Sequence, residues 1–289
     1  MARTRGAFRG NRRAPSIDLE GKVAAITGAG SGIGRATAVL LARHGARIHA
    51  ADVRAETAAD VASEIEAGGG SAVAHELDVS DPEAVEAFAA KLFEVEDAID
   101  VLHNNAGIGH GANIEATTID DWRRVIDVNL LGVAYGMQAF VPRMLRQGRP
   151  ATIVNTASQA GLMPAAKMAP YCASKYGVVG MSEALNAELA HRGIHVSALC
   201  PGVIDTSIAS TAIVRGDIER MRDQVTAFYA NRGVPPEEVA DAVLRTIEKP
   251  ALIVPAPRRQ VLPFYLLHRL SPRMVQPIAR RMEKLIGRG

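Results

Sequence analysis

Cysteine is almost missing from this chain, with only Cys172 and Cys200 in 289 residues. Two thiols make no disulfide framework, which points to a reducing compartment and a cytoplasmic protein. Aromatic residues make up only 4% of the chain, with a single tryptophan. The core must then be aliphatic and alanine-rich, which suits helices layered on a sheet better than a sandwich of short strands. No apolar run approaches the roughly 18 residues that a membrane-spanning helix needs. The first 16 residues have no apolar h-region, so they do not form a secretory signal. No metal site is expected among the eight histidines.

What is present is 48% hydrophobic residues, ample for a large core, and a net charge of +2 that is unevenly spread. Arg3, Arg5, Arg9, Arg12 and Arg13 sit among residues 1–16 without an acid, and seven further arginines crowd 250–289. The body between these ends is therefore acidic. A nucleic-acid-binding domain carries its basic patch on the fold itself, so no nucleic-acid partner is expected. The chain divides into a basic, disordered arm at 1–16, a single domain at 17–255 and a basic amphipathic extension at 256–289.

Within that domain, short apolar runs alternate with helix-length segments. Strands are expected at Val23–Thr27, Ala46–Ala51, Ala72–His75, Ile99–His103, Ala151–Thr156, Ile194–Leu199 and Ala251–Val254. Helices are expected at Ile33–His44, Glu56–Glu66, Asp81 to about Val95, one or two within Thr118–Gln147, Pro170–His191 and Pro235–Ile247. Asp81-Pro82-Glu83 is a helix start, with a cap, a proline in the first turn and an early acid. The alternation predicts an α/β fold: a doubly wound, Rossmann-like parallel sheet of about seven strands flanked by helices.

The first strand runs into Thr27-Gly28-Ala29-Gly30-Ser31-Gly32-Ile33-Gly34 and then a helix. Glycines allow a tight turn, and the helix presents free amides and its positive dipole end, a ready pyrophosphate site. The strand before and the helix after are the context that gives this motif meaning. Asp52, at the end of the second strand, can accept from both ribose hydroxyls and would repel a 2′-phosphate. NAD is therefore expected over NADP, although Arg35 and Arg54 stand near enough in sequence to neutralise a phosphate.

The spacing Thr-Gly-x-x-x-Gly-x-Gly resembles the short-chain dehydrogenase/reductase family, and residues 19–255 carry further motifs in the family's order. Asp78-Val79 looks like the family's adenine-contacting pair, and Asn105-Ala106-Gly107 like its Asn-Ala-Gly motif. Asn129 in Val-Asn-Leu resembles its catalytic asparagine, Ser158 its catalytic serine, and Tyr171 with Lys175 its Tyr-x-x-x-Lys pair. Pro201-Gly202-Val203-Ile204-Asp205-Thr206 resembles the segment that holds the nicotinamide. The resemblance thus implies cofactor contacts from Gly28, Ser31, Gly32, Ile33, Gly34, Asp52, Asp78, Val79, Asn105, Ala106, Gly107, Tyr171, Lys175, Pro201, Gly202, Ile204 and Thr206. It also implies catalysis by Asn129, Ser158, Tyr171 and Lys175, with Asn129 holding a water that links Lys175 to solvent. A homodimer or homotetramer is implied on the same ground. Ala157 departs from the pattern, where a serine is frequent, at a position without a catalytic role.

Tyr171 and Lys175 are four residues apart and share one helix face. An ammonium beside a phenol favours the phenolate, so the tyrosine is expected to titrate below its usual value near 10 and to exchange a proton with an alcohol oxygen. Ser158 would place that oxygen. The expected activity is hydride exchange between NAD(H) and a secondary alcohol or ketone. Residues 207–233, with Ile208, Ile213, Met221, Val225, Phe228 and Tyr229, are expected to form an apolar lid over a lipophilic substrate. His110 is expected on a surface loop, with a place lining the site as the alternative, and Cys172 as a packing residue. The 256–289 extension would cover the substrate mouth, touch a subunit or weakly touch a membrane surface, with Pro263, Pro272 and Pro277 limiting any continuous helix. A non-catalytic dinucleotide sensor or scaffold is the rival reading, and the intact Asn129, Ser158, Tyr171 and Lys175 argue against it.

Overall fold

The computed structural model describes residues 18–277, so the expected basic arm at 1–16 and the end of the C-terminal extension lie outside the described residues. The chain opens with β1 (Val23–Thr27), α1 (Gly32–Arg43), β2 (Arg47–Asp52), α2 (Ala55–Ala67), β3 (Ser71–Glu76), α3 (Pro82–Val95) and β4 (Val101–Asn104). It continues through β5 (His110–Gly111), α4 (Ile119–Ile126), a π-helical turn (Asp127–Leu131), α5 (Gly132–Gln147), β6 (Ala151–Thr156), α6 (Ala169–Leu189) and β7 (Ile194–Pro201). It closes with α7 (Ile208–Thr211), β8 (Ile213–Val214), α8 (Asp217–Arg220), α9 (Arg222–Arg232), α10 (Pro236–Glu248), β9 (Ile253–Ala256) and α11 (Arg258–Leu270).

Seven strands form one sheet in the order β3-β2-β1-β4-β6-β7-β9, every neighbouring pair parallel. The order reverses between β1 and β4, the switch point at which a doubly wound sheet opens a crevice. This is the Rossmann-like fold read from the sequence. Side chains of β1 show how it is covered: Val23 and Ala25 join the core beneath α3, α5 and α6, while Ala24 and Ile26 join the core beneath α1, α2 and α10. Both cores are aliphatic and alanine-rich, as a chain poor in aromatics requires. The start of α3 follows its sequence signature, Asp81 accepting from the amides of Glu83 and Ala84 at 2.9 and 3.1 Å.

Three features depart from expectation. Residues 119–147 form one continuous helical stretch long and apolar enough to cross a bilayer, with 44% of its apolar window buried in the fold. Val133, Met137, Phe140 and Met144 pack into the core, so that apolarity belongs to a core helix. Pro263 sits inside α11 without ending it; Val261 and Tyr265 pack on the core and hold the helix there. A second, two-stranded parallel sheet, β5 with β8, had no periodic signal in either sequence segment.

Histidines are built into the sheet. His49 Nδ1 and His75 Nε2 lie 2.9 Å apart, and His49 Nε2 lies 2.9 Å from Glu96 Oε1. Burial, helped by the neighbouring His49, pushes His75 down to about 4. Burial alone pushes His103 down to about 3. Both groups bind protons more weakly folded than unfolded, where they titrate near 6.5. Their contribution is therefore fully present above pH 6.5 and is lost as the pH falls towards 4. The melting temperature should drop across that window, and His75→Gln, which keeps a polar group beside His49 but does not titrate, should flatten the slope in a pH series of thermal melts. An unchanged slope would remove His75 from the account.

Candidate active site

A cavity of about 1040 Å³ opens where the chain leaves β1, β2, β4, β6 and β7. At its floor β1 turns into α1. Gly28 has φ +62°, and a Cβ there would lie 2.7 Å from Ala106 Cα. A Cβ on Gly34 would strike the Gly28 carbonyl oxygen and come within 2.6 Å of Asn105 Nδ2. Only glycine lets the turn, α1 and the segment after β4 approach this closely. Asn105 clamps the turn, its Nδ2 donating to the carbonyls of Thr27 and Gly28 at 3.1 Å each. Thr27 Oγ1 answers by accepting from the amides of Asn105 and Ala106.

The first turn of α1 holds no acid, and Ser31 makes no side-chain cap there. The amides at that helix end are thus left for an anion, and Ser31, Gly32 and Ile33 line the cavity beside them. Asp52 is buried and lines the cavity, accepting from Gly30 N at 2.9 Å and Arg54 N at 3.1 Å. Arg35 is spent on an ion pair with Glu64 at 2.6 Å. Asp78, Val79, Ala106 and Gly107 line the same wall, and Pro201, Gly202, Ile204 and Thr206 stand across from it. Gly34 and Asn129, also expected at the site, do not line the cavity and support it from behind. These features fit a dinucleotide: an anion-ready helix end, a carboxylate at ribose reach and glycines that admit backbone-close contact.

At the far end of the cavity Ser158, Tyr171 and Lys175 come together. Ser158 closes β6, its Oγ accepting from Ala160 N at 3.0 Å. Lys175 is 2% exposed, and its Nζ donates to the Thr156 carbonyl at 2.8 Å. That ammonium lies 5.7 Å from the centroid of the Tyr171 ring. Burial draws Lys175 down to about 8. Burial also raises Tyr171 above its usual value, opposed by a hydrogen bond from Ser158 and reinforced by Tyr229 and Cys172. The sequence expectation of a lowered phenol is corrected here: desolvation of the ring outweighs an ammonium that points its hydrogen bond elsewhere.

Asn129 lies behind these groups. It is buried in the π-helical turn, its Oδ1 accepting from Ile108 N at 2.8 Å and its Nδ2 donating to Ile108 O at 2.9 Å. The side chain is thereby committed to the loop after β4 and holds Gly107 beside Lys175. Thr156, which seats Lys175, had no signal in the sequence beyond its place at a strand end.

The apolar half of the cavity is walled by residues 207–229. Met221, Val225, Phe228 and Tyr229 form one stripe along α9 and the residue before it. Ile208 lines the cavity and Ile213 does not. Arg215 anchors this segment to α4, its Nε and Nη2 reaching Asp121 at 2.5 and 2.7 Å. Among the described residues, none from the 256–289 extension lines the cavity; Gln260 instead accepts from Val203 N at 3.1 Å. His110 is corrected from a surface position to a buried one on the cavity wall.

A family model for short chain dehydrogenases matches residues 22–214. The probable oxidoreductase EphD of Mycobacterium tuberculosis is 40% identical over 262 residues, which cover 88% of this chain and 44% of that protein. The chain thus spans less than half the length of that relative. The cyclohexanol dehydrogenase of an Acinetobacter species is 40% identical over 229 residues, 79% of this chain and 88% of that protein. Among solved structures, a short chain dehydrogenase/reductase from Burkholderia phymatum in complex with NAD superposes with a TM-score of 0.81 at 32% identity, covering 86% of this chain and 93% of that one.

Gly34→Ala should displace the glycine turn without entering the cavity. Dinucleotide affinity measured by calorimetry should fall about tenfold or more, with the circular dichroism spectrum retained. An unaltered affinity would show that the turn tolerates the extra carbon.

Proposed function

Because this chain belongs to the short chain dehydrogenase family, we propose that it is an oxidoreductase that exchanges hydride between NAD(H) and a secondary alcohol or ketone, with Tyr171 as the general acid/base. The observation that carries the reading is one cavity lined both by the open end of α1 and by the Ser158, Tyr171 and Lys175 group. The nicotinamide supplies the hydride chemistry when bound. The chain's own residues handle the oxygen. Ser158 and Tyr171 hydrogen-bond it and fix its position. Tyr171 gives a proton to a carbonyl oxygen during reduction and takes one from a hydroxyl during oxidation. The buried Lys175 steadies the negative charge that the phenol acquires, while Thr156 O keeps its amine in place. Residues 207–229 exclude water from the reacting atoms.

Asp52 supports NAD over NADP. Its carboxylate is buried at the ribose end, and a 2′-phosphate beside it would place like charges together. Met221, Val225 and Phe228 support a lipophilic substrate. A homo-oligomer remains the expectation carried by the family.

Tyr171→Phe should retain dinucleotide binding and lose about 10³-fold in kcat. Activity equal to the wild type, in a screen of secondary alcohols and ketones with both cofactors, would overturn the role of the phenol; binding without turnover in the wild type would favour a sensor. Asp52→Asn keeps an acceptor for Gly30 N but drops the charge. It should raise the NADP to NAD ratio of kcat/KM about tenfold or more, and an unmoved ratio would remove Asp52 as the selector.

A further inference from the structure

Helix α11 carries apolar side chains around its whole circumference, a pattern that belongs to a buried helix. Yet of Val261, Leu262, Phe264, Leu266, Leu267 and Leu270, only Val261 is fully buried. Val261 and Tyr265 seat one side of the helix on the core. Leu266 and Leu270, four residues apart on another side, are 52% and 80% exposed. Met274, just past the helix end, is 50% exposed. Single exposed leucines are ordinary, but a stripe of them on a helix with so little buried marks a contact surface.

The charge beside this stripe has one sign. Residues 256–277 hold Arg258, Arg259, Arg269 and Arg273 and no acid. Glu238 pairs with Arg259 at 2.8 Å, but among the described residues no ion pair holds Arg269 or Arg273. These two stand one residue before Leu270 and Met274, so the unpaired charges flank the exposed apolar groups. A two-fold contact between copies presses a patch against itself and would set these arginines against their equivalents. An anionic lipid surface meets both needs, its acyl boundary taking the leucines and its phosphates the guanidinium groups. The acidic body and the basic end also orient the chain, with α11 leading towards a negative surface.

We propose that α11 docks this protein on an anionic lipid bilayer, with Leu266, Leu270 and Met274 entering the headgroup boundary and Arg269 and Arg273 meeting lipid phosphates. The helix is joined to the cavity. Gln260, in its first turn, accepts from Val203 N at 3.1 Å, and Val203 lines the cavity. Docking by α11 therefore holds that wall near the bilayer, where lipophilic alcohols and ketones concentrate. The docking itself stands or falls independently of the hydride-transfer reading.

The test mixes the full chain with vesicles of phosphatidylcholine alone, or of phosphatidylcholine with an equal share of phosphatidylglycerol, and follows co-sedimentation. The wild type should bind the mixed vesicles about tenfold or more tightly than the neutral ones, and high salt should release it. Leu266→Ser with Leu270→Ser should weaken binding to the mixed vesicles about tenfold or more. The melting temperature should hold, because both side chains are exposed. Arg269→Gln with Arg273→Gln should shrink the preference for the anionic lipid several-fold. A wild type that binds neither vesicle or both equally, or substitutions at either pair that leave binding unmoved, would overturn the proposal. A wild type that stays off vesicles but sediments as a dimer, which the leucine substitutions split, would assign the stripe to a second copy and overturn it likewise.

Discussion

A buried amine organises the reactive end of this molecule. Lys175 lies 2% exposed in α6, and its Nζ meets the carbonyl of Thr156 at the end of β6. Removing an ammonium from water is expensive unless hydrogen bonds replace the lost hydration. The strand end supplies one such bond, and the loop after β4 closes over the amine, with Gly107 close to both Nζ and Asn129. One lysine thus ties helix, strand and loop together, and Tyr171, one turn earlier, is carried to the cavity wall by the same contact. The placement of the phenol follows from where the amine must go.

The sheet was legible because its strands are short continuous apolar runs, and β1 and β6 have the bounds their sequences predict. The glycine turn was legible because steric need leaves no substitute at Gly28 and Gly34. The phenol's proton affinity was not legible. Sequence spacing placed Lys175 on the same helix face, but the burial of the ring and the direction of the amine's hydrogen bond depend on β6 and on α9, which lie outside that helix. His110 was placed on the surface for a related reason. A histidine between glycines reads locally as a loop, and its burial arises from pairing with Ile213 about a hundred residues later. Pro263 misled in the opposite sense: a local helix-breaking rule yielded to the packing of Val261 and Tyr265.

The lid segment is short of core contacts of its own: α9 contains no fully buried residue. What holds it is electrostatic and local. Arg215 grips Asp121 on α4, and Arg222 Nη1 donates to Ser210 O at 2.8 Å, folding the segment on itself. A layer with few buried apolar contacts belongs to the low-stability end of a structure. The parallel sheet beneath it is buried on both faces. Buried contacts are therefore divided by layer, with Ser158, Tyr171 and Lys175 on the densely packed one and the apolar wall on the other.

The uncapped start of α1 also bears on stability. Its amides are left without side-chain partners while the protein waits for an anion. Whatever occupies them joins only the native chain, so it shifts the folding equilibrium by mass action, by about 2.7 kcal/mol at a hundredfold excess over its Kd. On the dinucleotide reading proposed above, the folded fraction of this protein is then coupled to the size of the nucleotide pool that fills that helix end.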